Sequence, residues 1–403
     1  MITRKIFNDT ETAFSLKSNS ELDRAIFLFE TIDRPFMVKI GTAATKLALK
    51  LHLPVEFLIK KTIFNQFCGG VTEEDCIPAI EKMYSKKVHG VLDYSVEGQE
   101  KESEFDRAIN RKIKIVKFIK GKQELPFAVF KPTGIGRFAL WQKVTEKADL
   151  SPEEQEEWQN IVNRVENICE AAYKNNISLL ADAEESWMQG AVDELLEDMM
   201  AKYNKEKAII FNTLQCYRWD RLQYLKDLHQ KGIDKGFKVG AKLVRGAYLE
   251  KENERARKMG YLSPICETKE ATDVCFNSCV IYCLNNLNDL SVYIGSHNEV
   301  SNYLALQIME ENGIDNDDER VWFAQLYGMG EHISFNLAKK GYNVAKLVPF
   351  GPVREVVPYL IRRAEENTSV KGQTGRELSL LYEERKRRNG KITKNELKNE
   401  LVS

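Results

Sequence analysis

No stretch of the 403-residue chain reaches the roughly 20 consecutive apolar residues that a membrane-spanning helix needs. Nor is charge of one sign in excess. The 59 basic and 60 acidic residues leave a formal net charge of -1, which argues against a nucleic-acid partner, since phosphates call for a basic surplus or patch. The basic run Arg385-Lys386-Arg387-Arg388 follows Glu383 and Glu384 and reads as a solvated helix end. Residues 1–20 lack the apolar core of a secretory signal, and Asp9 and Glu11 are out of place in a transit peptide, so a cytoplasmic protein is expected. The eight cysteines include no Cys-x-x-Cys pair and come without a secretory signal, so neither a disulfide framework nor a metal site is expected. Cys275, Cys279 and Cys283 repeat every four residues and read as small packing residues on one helix face. Also missing are a Gly-x-Gly-x-x-Gly at a strand–helix junction and, among five histidines, a metal-binding pair or a Ser-His-Asp order. A Rossmann dinucleotide site is thereby excluded.

What is present is a hydrophobic fraction of 43%, enough for a large core, arranged in three regions. Residues 1–86 read as mostly helical. Ser20 is placed to cap a helix through Leu22, Ile26 and Phe29. Phe36 to Leu51 is apolar but interrupted by Lys39, Lys46 and Lys50, which suits either a helix packed on the main domain or one lying on a membrane surface. Across residues 87–375, short runs rich in β-branched and aromatic residues alternate with charged helical stretches. The runs are Val88–Asp93, Phe127–Lys131, Ser178–Asp182, Ala208–Asn212, Val239–Val244, Ser291–Gly295, Val321–Gln325 and Val344–Val348. Eight strand–helix repeats predict an α/β fold of the (β/α)8 barrel type, with a doubly wound open sheet as the other arrangement. The strand ends carry Asp93, Lys131, Asp182, Gln215, Arg245, His297 and Gln325, and in a barrel these would converge on one face. Residues 376–403 form a charged tail, expected as a surface helix from Gly375 to Arg388 stopped by Gly390.

Three groups of residues suit chemistry. After the eighth strand, Tyr359, Arg362, Arg363 and Glu366 fall at i, i+3, i+4 and i+7 and share a helix face. Two adjacent guanidinium groups repel unless an anion joins them, and a carboxylate matches their planar forks. A surface pair bridged to Glu365 and Glu366 is the alternative. At the fifth strand, Lys242-Leu-Val-Arg245-Gly246-Ala247-Tyr248 sets a bare backbone beside cations, with Tyr248 placed to stack on a flat ligand. Lys131 and Asp182 end the second and third strands. They suit a Schiff base, an anion grip or a mutual ion pair.

Taken together, Leu92-Asp-Tyr-Ser-Val-Glu, Ala181-Asp-Ala-Glu-Glu, Thr213-Leu-Gln-Cys-Tyr, Lys242-Leu-Val-Arg-Gly-Ala-Tyr, Leu326-Tyr-Gly-Met-Gly-Glu and Tyr359-Leu-Ile-Arg-Arg-Ala-Glu-Glu-Asn resemble the proline dehydrogenase family, in order and over residues 65–375. The resemblance is to its single-function members, since no aldehyde dehydrogenase domain follows. It implies a distorted barrel holding FAD and oxidation of L-proline to Δ1-pyrroline-5-carboxylate. Electrons would pass to a membrane quinone, so a peripheral contact with the cytoplasmic face of the inner membrane is a further expectation. The product would go to a separate pyrroline-5-carboxylate dehydrogenase. By position, Lys131, Arg362 and Arg363 would hold the substrate carboxylate, and Leu326 and Tyr359 would wall its ring. Asp182 and Lys242 would be important for catalysis. Asp182, Gln215, Lys242, Val244, Arg245, Gly246, Ala247, Tyr248, Thr268, Lys269, Ser296 and His297 would line the cofactor, and Glu366 would latch the arginine helix. Two positions depart from many relatives. Lys242 stands where bacterial members have Arg, and Leu347 where some have a Tyr that discriminates proline from hydroxyproline.

Overall fold

The computed structural model of the protein describes residues 5–51, 53–95, 101–369 and 373–400. The side chains at 46, 49, 365–369, 373, 374 and 391–400 fall outside the described residues, and with them the expected Glu366 latch. Eight parallel strands close in chain order into a barrel: β1 (Val88–Tyr94), β2 (Phe127–Phe130), β3 (Ser178–Ala181), β4 (Ile210–Gln215), β5 (Val239–Val244), β6 (Leu290–Gly295), β7 (Val321–Leu326) and β8 (Val344–Phe350). The fourth strand starts two residues later than expected and runs on to Gln215, while Lys131 and Asp182 lie just beyond their strands. The open-sheet alternative is ruled out by the pairing of β8 with β1, seven residue pairs from Val88↔Val344 to Tyr94↔Phe350. The β1–β2 ladder has only two, Val91↔Phe127 and Leu92↔Ala128.

Parallel neighbours require crossovers, and amphipathic helices supply them. Helix Pro152–Asn175 is typical. Ser151 and Glu154 form a capping box, proline sits in the first turn, and Asn176 ends the helix in the left-handed region at φ 54°. Ile161, Val165, Ile168, Cys169 and Ala172 face inward at helical spacing. Inside the barrel, the Phe127 ring meets Phe211, Tyr293 and Trp322 edge-on at 6.1, 5.1 and 5.0 Å. The lower barrel is a packed core, and chemistry is left to its upper rim.

A second apolar cluster joins the N-terminal helices to the last two. Phe14, Leu22, Phe29, Phe64 and Phe67 pack with Val356, Val357, Tyr359, Leu360, Leu380 and Leu381. At about 1.5–3 kcal/mol per buried large side chain, this cluster braces the helix that carries the arginines. Three expectations change here. Ser18, not Ser20, caps helix Asn19–Ile32, because Ser18 and Glu21 form the reciprocal capping box. The final helix runs Gln373–Glu400 straight through Gly390, which does not take the left-handed conformation of a helix stop. The basic run is also not merely solvated. Arg388 donates to the carbonyls of Phe14 and Lys17, and Arg387 and Arg388 both grip the buried Glu384. No helix among the described residues is long and apolar enough to cross a membrane. Cys279 and Cys283 are fully buried on helix Lys269–Asn285 and Cys275 is half-buried.

Candidate active site

The strand ends bring charges of both signs into one row. Lys131 Nζ lies 3.1 Å from Asp93 Oδ2 and 3.3 Å from Asp182 Oδ2. Lys242 Nζ reaches Asp182 Oδ1 at 2.5 Å. Lys112, from helix Glu102–Ile119, lies 3.5 Å from Asp93 Oδ1. The sequence Lys112–Asp93–Lys131–Asp182–Lys242 thus crosses the mouth from β1 to β5. Three ammonium groups against two carboxylates leave a charge of +1 (3 - 2), the sign that attracts a carboxylate. Burial by itself would raise the Asp93 carboxyl, but Lys131 and Lys112 outweigh it and hold the group well below the usual range. Burial opposes ionisation of Asp182 in the same way, and Lys242 and Lys131 again win. Burial pulls the Lys112 ammonium down, with Asp93 opposing.

Helix Val353–Ser369, which follows β8, carries Tyr359, Arg362 and Arg363. The Arg363 guanidinium sits 5.4 Å from the Tyr359 ring centre. Arg362 acts electrostatically on Tyr248, just past β5, and Arg363 on His297, just past β6. The two arginines therefore lie within electrostatic reach of the fifth and sixth strand ends. Leu326 and Val244 are half-buried there.

The β5 end is built for close approach. Gly246 has φ 134°, and a Cβ there would lie 2.6 Å from the Tyr217 ring. Buried Gln215 accepts from Ala247 N at 3.2 Å and donates to Glu184 O at 2.6 Å, which fixes the turn. Arg245 is turned toward the surrounding helices. Its Nε donates to Asp273 at 2.7 Å, and its Nη atoms donate to Ser296 Oγ and Ser301 Oγ, both at 2.9 Å. Its fork is committed to the protein. Leu326 N–H donates to His297 Nε2 at 3.1 Å, which assigns the ring proton to Nδ1. That nitrogen is buried without a hydrogen-bond partner among the described residues. Burial first, then Lys346 and Arg363, push His297 down to about 3, so it stays a neutral donor. Thr268 caps helix Lys269–Asn285 by accepting from Ala271 N at 3.0 Å; Thr268 and Lys269 are exposed, and nearby Cys266 N donates to Tyr217 O at 2.7 Å.

Sequence reasoning marked Asp93 as a polar strand end but gave it no role, and it passed over Lys112 and Lys346. Lys346, fully buried on β8, donates to Met329 O at 2.5 Å and Leu326 O at 3.3 Å and so fixes the loop bearing Leu326. Its signal was available: a lysine among the buried valines and alanine of one strand. A cleft of about 1020 Å³ beside β1, lined by Glu73, Tyr94, Arg107, Arg111, Lys114 and Glu355, includes none of the mouth residues.

Glu184 yields a prediction. Burial raises its carboxyl from 4.5 to about 7, against hydrogen bonds from Thr133 N and Thr133 Oγ1. An acid raised by folding binds its proton more tightly in the folded state. The contribution of Glu184 to stability is then greatest below pH 4.5 and declines as pH rises toward 7, by about 2–3 kcal/mol from linkage. Glu184→Gln, which retains an acceptor for Thr133 N and a donor for Thr133 Oγ1, is expected to flatten that decline in thermal melts between pH 5 and 8 (about one pH unit of buffering at each end). An unchanged slope refutes the assignment.

A closed (β/α)8 barrel that gathers its ion pairs at the strand ends has the architecture of a barrel enzyme. The chain belongs to the proline dehydrogenase family, an oxidoreductase family whose sequence profile matches residues 76–376. It is 35% identical over 322 residues to the carbapenem antibiotics biosynthesis protein CarD of Pectobacterium carotovorum subsp. carotovorum, covering 80% of this chain and 83% of that protein. Human mitochondrial proline dehydrogenase 1 is 42% identical over 242 residues, 59% of this chain but only 40% of that protein. The Dictyostelium discoideum enzyme of the same name is 30% identical, covering 95% of this chain and 75% of its own length. Among solved structures, proline utilization A from Bdellovibrio bacteriovorus inactivated by N-propargylglycine superposes with a TM-score of 0.68 at 20% identity, over 91% of this chain and 37% of that one. That likeness concerns the fold.

Proposed function

We propose that the chain oxidises L-proline to Δ1-pyrroline-5-carboxylate with FAD held at the barrel mouth. One observation carries the reading: Lys131 and Lys242 meet at Asp182, and Lys131 and Arg362 both act electrostatically on Tyr248, so a small carboxylate bound there would meet cations from strand and helix. Arg362, Arg363 and Lys131 would grip the carboxylate, and Tyr359 and Leu326 would wall the ring, fixing one orientation. Asp182 positions both lysines. The residues fit the cofactor. His297 Nδ1–H is a buried donor without a partner among the described residues, Gly246 bares the backbone, and Lys242 would supply a cation to offset the negative charge of a reduced flavin. Gln215, Val244, Ala247, Tyr248, Thr268, Lys269, Ser296 and Asp182 would complete that lining, with Arg245 holding Ser296 in place. FAD, when bound, supplies the hydride acceptor for ring carbon 5. A membrane quinone is the proposed final acceptor, at the cytoplasmic face of the inner membrane, and a separate pyrroline-5-carboxylate dehydrogenase the consumer of the product.

Schiff-base chemistry on Lys131 is disfavoured, because its Nζ faces Asp93 and Asp182, partners for an ammonium and not for a nucleophilic amine. Oxidation of hydroxyproline on the same scaffold is the second reading. Leu347, half-buried against the barrel lining, lacks the ring and hydroxyl that a tyrosine would present. Anaerobic titration of the purified yellow protein decides between them. L-proline is expected to bleach the flavin at lower concentration than trans-4-hydroxy-L-proline. The reverse order selects the second reading, and a protein that takes up no FAD sinks both.

A further inference from the structure

Helix Pro35–Lys50 has two apolar faces, and the protein covers only one. Val38 is buried toward helices Asn19–Ile32 and Val353–Ser369. On the other side Phe36, Ile40, Leu47 and Leu51 fall within roughly 60° of arc at about 100° per residue. All four are exposed, Phe36 at 72% and Leu47 at 58%. The exposed apolar series continues through Leu53, Phe57 and Leu58. Single exposed leucines are ordinary, but a stripe of this length is not.

Charge along the same segment is lopsided, although the whole chain is balanced. From Arg34 to Thr72 there are six basic residues, Arg34, Lys39, Lys46, Lys50, Lys60 and Lys61, and one acid, Glu56. That acid is already ion-paired with Arg354. By helical spacing Lys39 and Lys50 line one flank of the apolar stripe. The Lys61 ammonium lies 4.3 Å from the Phe57 ring centre, so its stem runs along apolar surface. An apolar stripe edged by lysines matches the headgroup–acyl boundary of a bilayer with anionic lipids. A second copy of this chain fits poorly, because a two-fold contact would set the same cations against each other.

We propose that helix Pro35–Lys50 and the adjoining turn Glu56–Ile59 form a docking surface for an anionic lipid bilayer. Both elements pack on helix Val353–Ser369, so a bilayer engaged there lies on the arginine side of the barrel mouth. Docking does not depend on the proposed reaction. Its use in delivering electrons to a lipid-dissolved acceptor does rest on that reading.

The test is co-sedimentation of the flavin-loaded full chain with vesicles of phosphatidylcholine containing about one-third phosphatidylglycerol, and with pure phosphatidylcholine. The wild type is expected to pellet with the anionic vesicles and to be released by salt. Phe36→Glu/Ile40→Glu/Leu47→Glu should bind at least about tenfold less while oxidising proline with a soluble dye at the wild-type rate. If that variant does not fold, Lys39→Glu/Lys50→Glu must show the loss instead. Three results overturn the proposal: no binding by the wild type, binding unchanged in the folded variants, or a wild-type dimer that the apolar variant dissolves without any vesicle binding. Vesicle binding without dye-coupled proline oxidation would overturn the function proposed above and leave the docking surface standing.

Discussion

Arg363→Met is expected to raise the KM for L-proline about tenfold to a hundredfold while the purified protein keeps its flavin, since a hydrogen bond to a charged group is worth about 1.5–3 kcal/mol. The guanidinium lies 5.4 Å from the Tyr359 ring centre and acts electrostatically on His297, just past β6, which ties it to the strand-end side of the barrel. Methionine keeps much of the stem and removes the fork. If the arginine instead served only to hold the helix, thermal stability would fall and KM would not move. Steady-state kinetics with a soluble acceptor, beside a flavin-to-protein absorbance ratio, separate the two. An unchanged KM refutes the carboxylate grip.

Asp182→Asn is expected to lower kcat/KM about a hundredfold and to reduce stability as well, because removing one partner of a buried ion pair costs about 3–5 kcal/mol. Asp182 is the one carboxylate between Lys131, at 3.3 Å, and Lys242, at 2.5 Å. Without its charge two ammonium groups face each other across the mouth, and Lys242 loses the carboxylate that orients it while Lys131 keeps Asp93. The effect depends on pH in a defined direction. Folding depresses the Asp182 carboxyl, so its stabilisation is complete above the unfolded value of 3.8 and fades as pH falls through the lower folded value. The stability gap between wild type and variant should therefore be constant at neutral pH and close only in acid. A variant within threefold of wild-type kcat/KM (roughly the scatter of a sound assay, under 1 kcal/mol) would show that the lysines need no such partner.

Much of this arrangement was legible in the sequence. Strand residues announce themselves by β-branched runs, and Lys131, Asp182 and Arg245 stand out as polar ends on apolar strands. The arginine face follows from i, i+3, i+4 spacing alone. What stayed hidden was whatever depends on a distant partner. Nothing near Lys112 distinguishes it from Lys114 or Lys117 on the same helix, yet only Lys112 reaches Asp93. Arg245 looked open to a ligand because Asp273, Ser296 and Ser301 arrive from later elements. Arg388 read as solvated because the carbonyls it meets, on Phe14 and Lys17, lie at the other end of the chain. The cap at Ser18 was a nearer miss, since the reciprocal Glu21 was present in the sequence.

The seam between β1 and β8 bears on how the molecule is made. It is the longest ladder in the barrel, and at its base the His89 ring meets the Val344 carbonyl across 255 residues of chain. During synthesis the first seven strands wait with two raw sheet edges, and the edge of β1 stays unpaired until the last strand leaves the ribosome. The entropy of closing so long a loop is modest, because it grows only with the logarithm of length. Time is the greater burden, since distant pairings form slowly and exposed edges recruit other chains meanwhile. Maturation is thus gated by β8, near the C-terminal end of the chain, and fragments that stop short of Val344 should aggregate before they can mature.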